Sequence, residues 1–94
     1  MGRNKNFIGV KPFADRVRDV VRSIPKGKTM SYAEVAKREG SLGAARAVGT
    51  IMANNFDKSV PCHRVIRSDG KIGGYNRGGL KQKIALLRKE GIKI

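Results

Sequence analysis

Between Ser31 and Asn54 the chain has room for little except two short helices with a tight turn between them, and this stretch constrains everything around it. Ser31-Tyr32-Ala33-Glu34 has the spacing of a capping box. The serine oxygen can accept from the backbone near Glu34 while the Glu34 carboxylate reaches back. A helix is predicted from there to about Glu39, and Gly40 stops it. Ser41 can cap a second helix reaching about Asn54, with Leu42, Ala45, Val48, Ile51 and Met52 along its inner face. Two short helices around a glycine-containing turn read as a helix-turn-helix, with a plain helical hairpin as the competing reading. The second helix favours the former. Gly43, Ala44, Ala45, Ala47 and Gly49 keep its surface slim, and Arg46 is its one long basic side chain. A slim helix can approach a duplex closely, and a lone arginine can then reach inside it.

The flanks are predicted from the same signals. Residues 1–11 are basic and without periodicity, a frayed lead-in to a domain over 12–94. Pro12 suits a first helical turn, and Phe13, Val17, Val20, Val21 and Ile24 recur at helical spacing until Pro25 and Gly27 turn the chain. Val65-Ile66 and Lys71-Ile72 flank the turn signal Ser68-Asp69-Gly70 and are predicted to form a small β-hairpin. Gly73 to Gly79 is glycine-rich but lacks the Lys-Ser/Thr ending of a P-loop. It reads as a pocket wall or as a plain surface loop. A last helix should turn Leu80, Ile84 and Leu87 inward and Lys81, Lys83, Arg88 and Lys89 outward, ending at Gly91. The expected fold is mainly α, a winged helix-turn-helix-like DNA-binding domain with a small β-hairpin.

Lys and Arg number 21 against 7 acidic residues, a formal charge of +14 on 94 residues. One small domain with that excess implies a polyanionic partner, most simply nucleic acid. No apolar stretch approaches the ~20 residues needed to span a bilayer, so no membrane partner is expected. No secretory signal pattern opens the sequence, and a single cysteine suits a reducing interior, so a cytoplasmic location is expected, nuclear in a eukaryote.

Cys62 and His63 are the only cysteine and histidine, and they are neighbours within Val60-Pro61-Cys62-His63-Arg64-Val65-Ile66. A thiol attacks electrophiles as thiolate, which a cationic setting or a paired base promotes. Arg64 and Arg67 lie close by in sequence. Adjacent side chains on a strand face opposite ways, so the dipeptide alone proves no pairing, and a buried, inert cysteine is the competing reading. One Cys and one His fall short of a zinc site, so no metal is expected.

Pro61-Cys62-His63-Arg64-Val65 resembles the active-site motif of the O6-alkylguanine-DNA alkyltransferases. Ser31-Tyr32, the run Ala44 to Gly49, Asn55, Gly73-Gly74-Tyr75 and Glu90 follow in that family's order, so the resemblance covers about Pro12 to Gly91. It implies irreversible, single-turnover transfer of an alkyl group from O6 of guanine in double-stranded DNA to Cys62, without a cofactor, by a monomer. His63 would be the base, acting through a water, and Glu90 would orient it. Tyr32 would assist base extrusion and donate a proton. Asn55, or its neighbour Asn54, would brace the helix-turn-helix. Arg46 would fill the gap left by the flipped nucleotide, with Ala45, Gly49 and Arg64 also on DNA. Val65, Gly74, Tyr75 and Asn76 would wall the guanine pocket. Two departures stand out: the connection from Asn55 to Cys62 is one residue shorter than usual, and the loop from Tyr75 to Leu80 is one residue longer. The N-terminal domain that commonly precedes this module is expected to be absent. Two alternatives compete. One is an alkyltransferase-like protein that binds the lesion without transfer and flags it for downstream repair proteins, although such proteins usually replace the cysteine. The other is a winged-helix regulator.

Overall fold

The computed structural model describes residues 11–94. The lead-in expected over 1–11 therefore lies outside the described residues, except for Lys11, whose ammonium pairs with Asp19 at 2.7 Å. Four helices follow: α1 (Phe13–Arg22), α2 (Tyr32–Glu39), α3 (Ala45–Ala53) and α4 (Gly79–Lys89). Two short strands, β1 (Met30–Ser31) and β2 (Val65–Ile66), and a 3-10 turn at Cys62–Arg64 complete the chain.

Pro12 precedes α1, where its missing N–H costs nothing. Val17 and Val21 are fully buried on the inner side of α1, and Ile24 continues that face just past its end. The capping box of α2 is formed: the Glu34 N–H donates to Ser31 Oγ at 3.0 Å, and the Ser31 N–H donates to Glu34 Oε1 at 3.2 Å. Gly40 ends α2 with φ +105°, a left-handed conformation that lets the Gly40 and Ser41 N–H groups both return to the Ala36 carbonyl. Val17, Val21, Met30, Val35, Ala36, Val48, Met52, Val60, Cys62 and Val65 join in one aliphatic core under the helix-turn-helix. Each fully buried aliphatic side chain contributes about 1.5–3 kcal/mol.

Three expectations are corrected. Ser41 does not cap α3, which begins four residues later behind Ala44 with no side-chain cap. Gly43 takes φ +85°, so the helix cannot run through it, and Leu42 lies 81% exposed instead of on the inner face. The small sheet is no hairpin: β1 and β2 pair in parallel, Met30 with Val65 and Ser31 with Ile66. The predicted turn does form, with the Arg67 N–H donating to Lys71 O at 3.0 Å. A hairpin would next need the Val65 carbonyl, and the Lys83 ammonium holds that oxygen at 2.7 Å. Finally, Lys83 points inward from α4 with no exposed surface, whereas Leu80 is 51% exposed.

Candidate active site

Cys62 opens the 3-10 turn that follows Pro61, and its N–H donates to the Val60 carbonyl at 2.8 Å. The residue is only 4% exposed, yet its side chain meets a cavity of about 350 Å³. Three pieces of chain wall that cavity. Tyr32 comes from the start of α2, Gly49, Met52 and Ala53 from α3, and Gly74, Tyr75 and Asn76 from the glycine-rich loop. Gly73 bends that loop at φ +81°, and a Cβ there would press within 3.2 Å of Arg67 Cγ. A broader groove lies beside the cavity and shares Tyr32, Gly49 and Ala53 with it. Ala45, Arg46, Thr50, Arg67 and Ser68 line the rest. Ala45 thus faces the groove, not the core as its spacing suggested, and exposed Arg46 stands beside it.

His63 faces away from the cavity, and its Nε2 lies 2.9 Å from Glu90 Oε2. Hydrogen bonds from Arg64, only partly opposed by burial and reinforced by His63, hold the Glu90 carboxyl down at about 2. Glu90 is therefore an ionised acceptor at neutral pH, which puts a proton on His63 Nε2 and leaves Nδ1 as the basic nitrogen of the neutral ring. Arg64 grips the same carboxylate with two parallel bonds, 2.9 Å from Nε and 2.7 Å from Nη2. Its Nη1 donates to Ile24 O at 2.9 Å. Every nitrogen of Arg64 is thus engaged inside the fold, on Glu90 and Ile24 O.

Tyr32 and Tyr75 are both pushed above the ordinary phenol range, by burial first and by the proximity of Cys62 among the further causes. Tyr32 therefore stays protonated at neutral pH. The Tyr75 ring stands edge-on to His63, with centroids 6.4 Å apart. Asn76 reaches the cavity, but its amide nitrogen donates back to the end of α3, to Ala53 O at 2.8 Å and Asn55 O at 2.7 Å. Asn55 is buried behind the site, its own amide donating to Asp57 O at 3.3 Å, while exposed Asn54 donates to Thr50 O. Val65 is fully buried in the core and does not line the cavity.

Two cations near the sulfur escaped the sequence reading. Lys83 donates to Val65 O and to Gly74 O at 3.2 Å, under the Tyr32 ring, and burial lowers its ammonium to about 8. Its signal was present, because Leu80, Lys83, Ile84 and Leu87 fall at one-face helical spacing. Arg77 donates from Nη2 to Cys62 Sγ at 3.0 Å and to Val60 O at 3.2 Å. No pattern in the chain announces that contact, which depends on how the loop closes.

A family model described as 6-O-methylguanine DNA methyltransferase, DNA binding domain, matches residues 12–92. The chain belongs to this family. Within the methyltransferase family, a methylated-DNA–protein-cysteine methyltransferase of Methanothermobacter thermautotrophicus is 50% identical over 90 residues, 95% of this chain and 49% of that protein. The chain spans about half the length of the curated methyltransferases it matches. The Mycobacterium tuberculosis OGT structure in complex with DNA superposes with a TM-score of 0.79 at 47% identity, covering 85% of this chain and 50% of that one. S. pombe Atl1, in complex with damaged DNA containing O6-carboxymethylguanine, superposes with a TM-score of 0.77 at 33% identity, covering 99% of this chain and 82% of that one.

Proposed function

We propose that this domain repairs DNA by direct reversal, moving an alkyl group from O6 of guanine to Cys62 in a single turnover. The observation that carries the reading is a cysteine at the inner end of a cavity walled by a helix-turn-helix and a glycine-rich loop. A stacked base cannot reach such a thiol, so the nucleotide must be flipped out of the duplex. Arg46, exposed at the groove, occupies the gap in the stack, and Ala45 and Gly49 allow close approach. Tyr75, Gly74 and Asn76 then flank the base.

The chemistry is a displacement at the alkyl carbon. His63, oriented by Glu90, takes the thiol proton through a water. The Cys62 sulfur forms the new S–C bond as the C–O6 bond breaks, and the electron pair passes to guanine. Tyr32, a phenol that burial raises further above its ordinary value and that is protonated at neutral pH, supplies a proton to the departing base. No metal or diffusible cofactor enters the step. The partner is double-stranded DNA carrying O6-alkylguanine, engaged by a monomer.

The likeness to S. pombe Atl1 over nearly the whole chain supports a second reading, lesion binding without transfer. Intact-mass spectrometry after incubation with a duplex bearing one O6-methylguanine decides between them. A gain of one methyl group, mapped to Cys62 and absent in Cys62→Ala, is the expected result. Tight lesion binding with unchanged mass would move the protein to the non-transferring class. No preference for the lesion at all would leave only a basic DNA-binding domain.

A further inference from the structure

Cys62 has two sides. One meets the cavity shared with Tyr32, Gly49 and Tyr75. The other is approached by Arg77, which belongs to a separate depression lined also by Arg22, Lys58, Ser59 and His63. Arg77 does not line the cavity that would receive the base.

A guanidinium has only donors, so an N–H aimed at Sγ from 3.0 Å requires the sulfur to accept. A thiol accepts weakly and a thiolate strongly. The environment sharpens the point. Arg77 Nε is buried and has no hydrogen-bond partner among the described residues, and no carboxylate among them hydrogen-bonds the guanidinium. Beside a neutral thiol this partly desolvated cation would have only the charge of the non-bonded Asp57 carboxylate for compensation, whereas beside a thiolate it completes a contact charge pair. The position is held, not incidental. The guanidinium stacks over the Tyr75 ring at 5.5 Å. The following Gly78 sits at φ +123°, where a Cβ would come within 2.7 Å of Gln82 Cβ.

We propose that Arg77 is a catalytic residue that holds Cys62 as thiolate from outside the lining of the substrate cavity. This deepens the transfer reading and rests on it for the reaction, though not for the state of the thiol. The work is divided: His63 with Glu90 removes the proton, and Arg77 keeps the resulting charge on sulfur until it is used. As the S–C bond forms and the C–O6 bond breaks, the charge leaves sulfur for guanine, which takes its proton from Tyr32. Sulfur ends as a neutral thioether and Arg77 loses its anion. The other titratable groups around the pair are Tyr32 from α2, Tyr75 from the loop and Lys83 from α4, which interact with the sulfur, the sequence neighbour His63, and Asp57, whose charge acts on Arg77. Lys83 directs its ammonium at two carbonyls, so Arg77 is the cation with a hydrogen bond to sulfur.

The test is the pH profile of Cys62 carboxamidomethylation by iodoacetamide on the full chain, followed by intact mass and with no DNA present. Arg77→Met and Arg77→Gln should shift the profile to higher pH. At neutral pH both should react roughly tenfold or more slowly, the loss expected on removing a cation in contact with the thiolate. Arg77→Lys should recover part of the rate. Glutamine keeps donors for Val60 O without the charge, so it separates charge from loop bracing should the methionine variant not fold. Profiles for Met or Gln that superimpose on the wild type overturn the assignment. The wild type is run in parallel on the O6-methylguanine duplex. Shifted profiles without any wild-type methyl uptake would sink the transfer reading and leave the thiolate assignment standing.

Discussion

Glu90 accepts from three donor nitrogens on two residues, and a single atom swap tests what that does. Glu90→Gln leaves His63 without an ionised acceptor and Arg64 without its counter-charge. Methyl uptake from the lesion duplex should slow by about a hundredfold, at the low end of what a positioned base contributes. The same change alters the acid limb of stability. The Glu90 carboxyl sits at about 2 in the fold against an ordinary 4.5. Its contribution is therefore fully present above about pH 4.5 and is lost as pH falls from there toward 2. Unfolding free energies from urea titrations across that window should fall by about 3 kcal/mol in the wild type and stay flatter in Glu90→Gln. Cys62 and His63 stood out as the one cysteine and the one histidine, whereas Glu90 could be singled out only through the family resemblance. Arg64 was not. An arginine beside an active cysteine reads the same from sequence whether it meets phosphate or a carboxylate 26 residues downstream. Arg77 was hidden for a related reason, since only the closure of the loop brings it to the sulfur.

Among the elements, α2 was the most readable, because both halves of its start signal lie within four residues. Ser31→Ala removes the Oγ that accepts the Glu34 N–H and should lower stability by about 1 kcal/mol, read as a shift in urea midpoint. The start of α3 was less readable. Ser41 is a good capping residue in the wrong place, since Gly43 takes a left-handed conformation and delays the helix. Lys83 turns inward against the usual outward preference of lysine, because two carbonyls and an aromatic ring await its ammonium inside. Gly49 separates stability from function most cleanly. A Cβ there meets nothing within 4 Å, yet the residue borders both the cavity and the groove. Gly49→Leu should leave thermal stability equal or slightly higher, as helix propensity predicts. It should also abolish selective binding to the lesion duplex by electrophoretic shift. Loss of the fold in that variant would contradict the placement of Gly49 on an open face.

For the molecule as a whole, the proposed encounter with DNA rests on charge. With a formal charge of +14 and an exposed Arg46 and Arg67 at the groove, binding to an undamaged duplex should depend little on sequence. Fluorescence anisotropy should show affinity falling at least roughly tenfold between about 50 and 200 mM salt. A salt-independent affinity would mean that phosphates are not the main contact. Composition made that polyanion visible without any structure. The parallel pairing of Met30–Ser31 with Val65–Ile66 was invisible, because residues so far apart in the chain share no local signal. The same long reach shapes the order in which the protein matures. As the chain leaves the ribosome, His63 emerges 27 residues ahead of the carboxylate that aims it, and Arg64 waits for the same partner. Until α4 docks, His63 and Arg64 lack the carboxylate that holds them in the fold. Under the proposed single-turnover reaction, the carboxylate that aims the base therefore joins the nucleophile only after nearly the whole domain has been made.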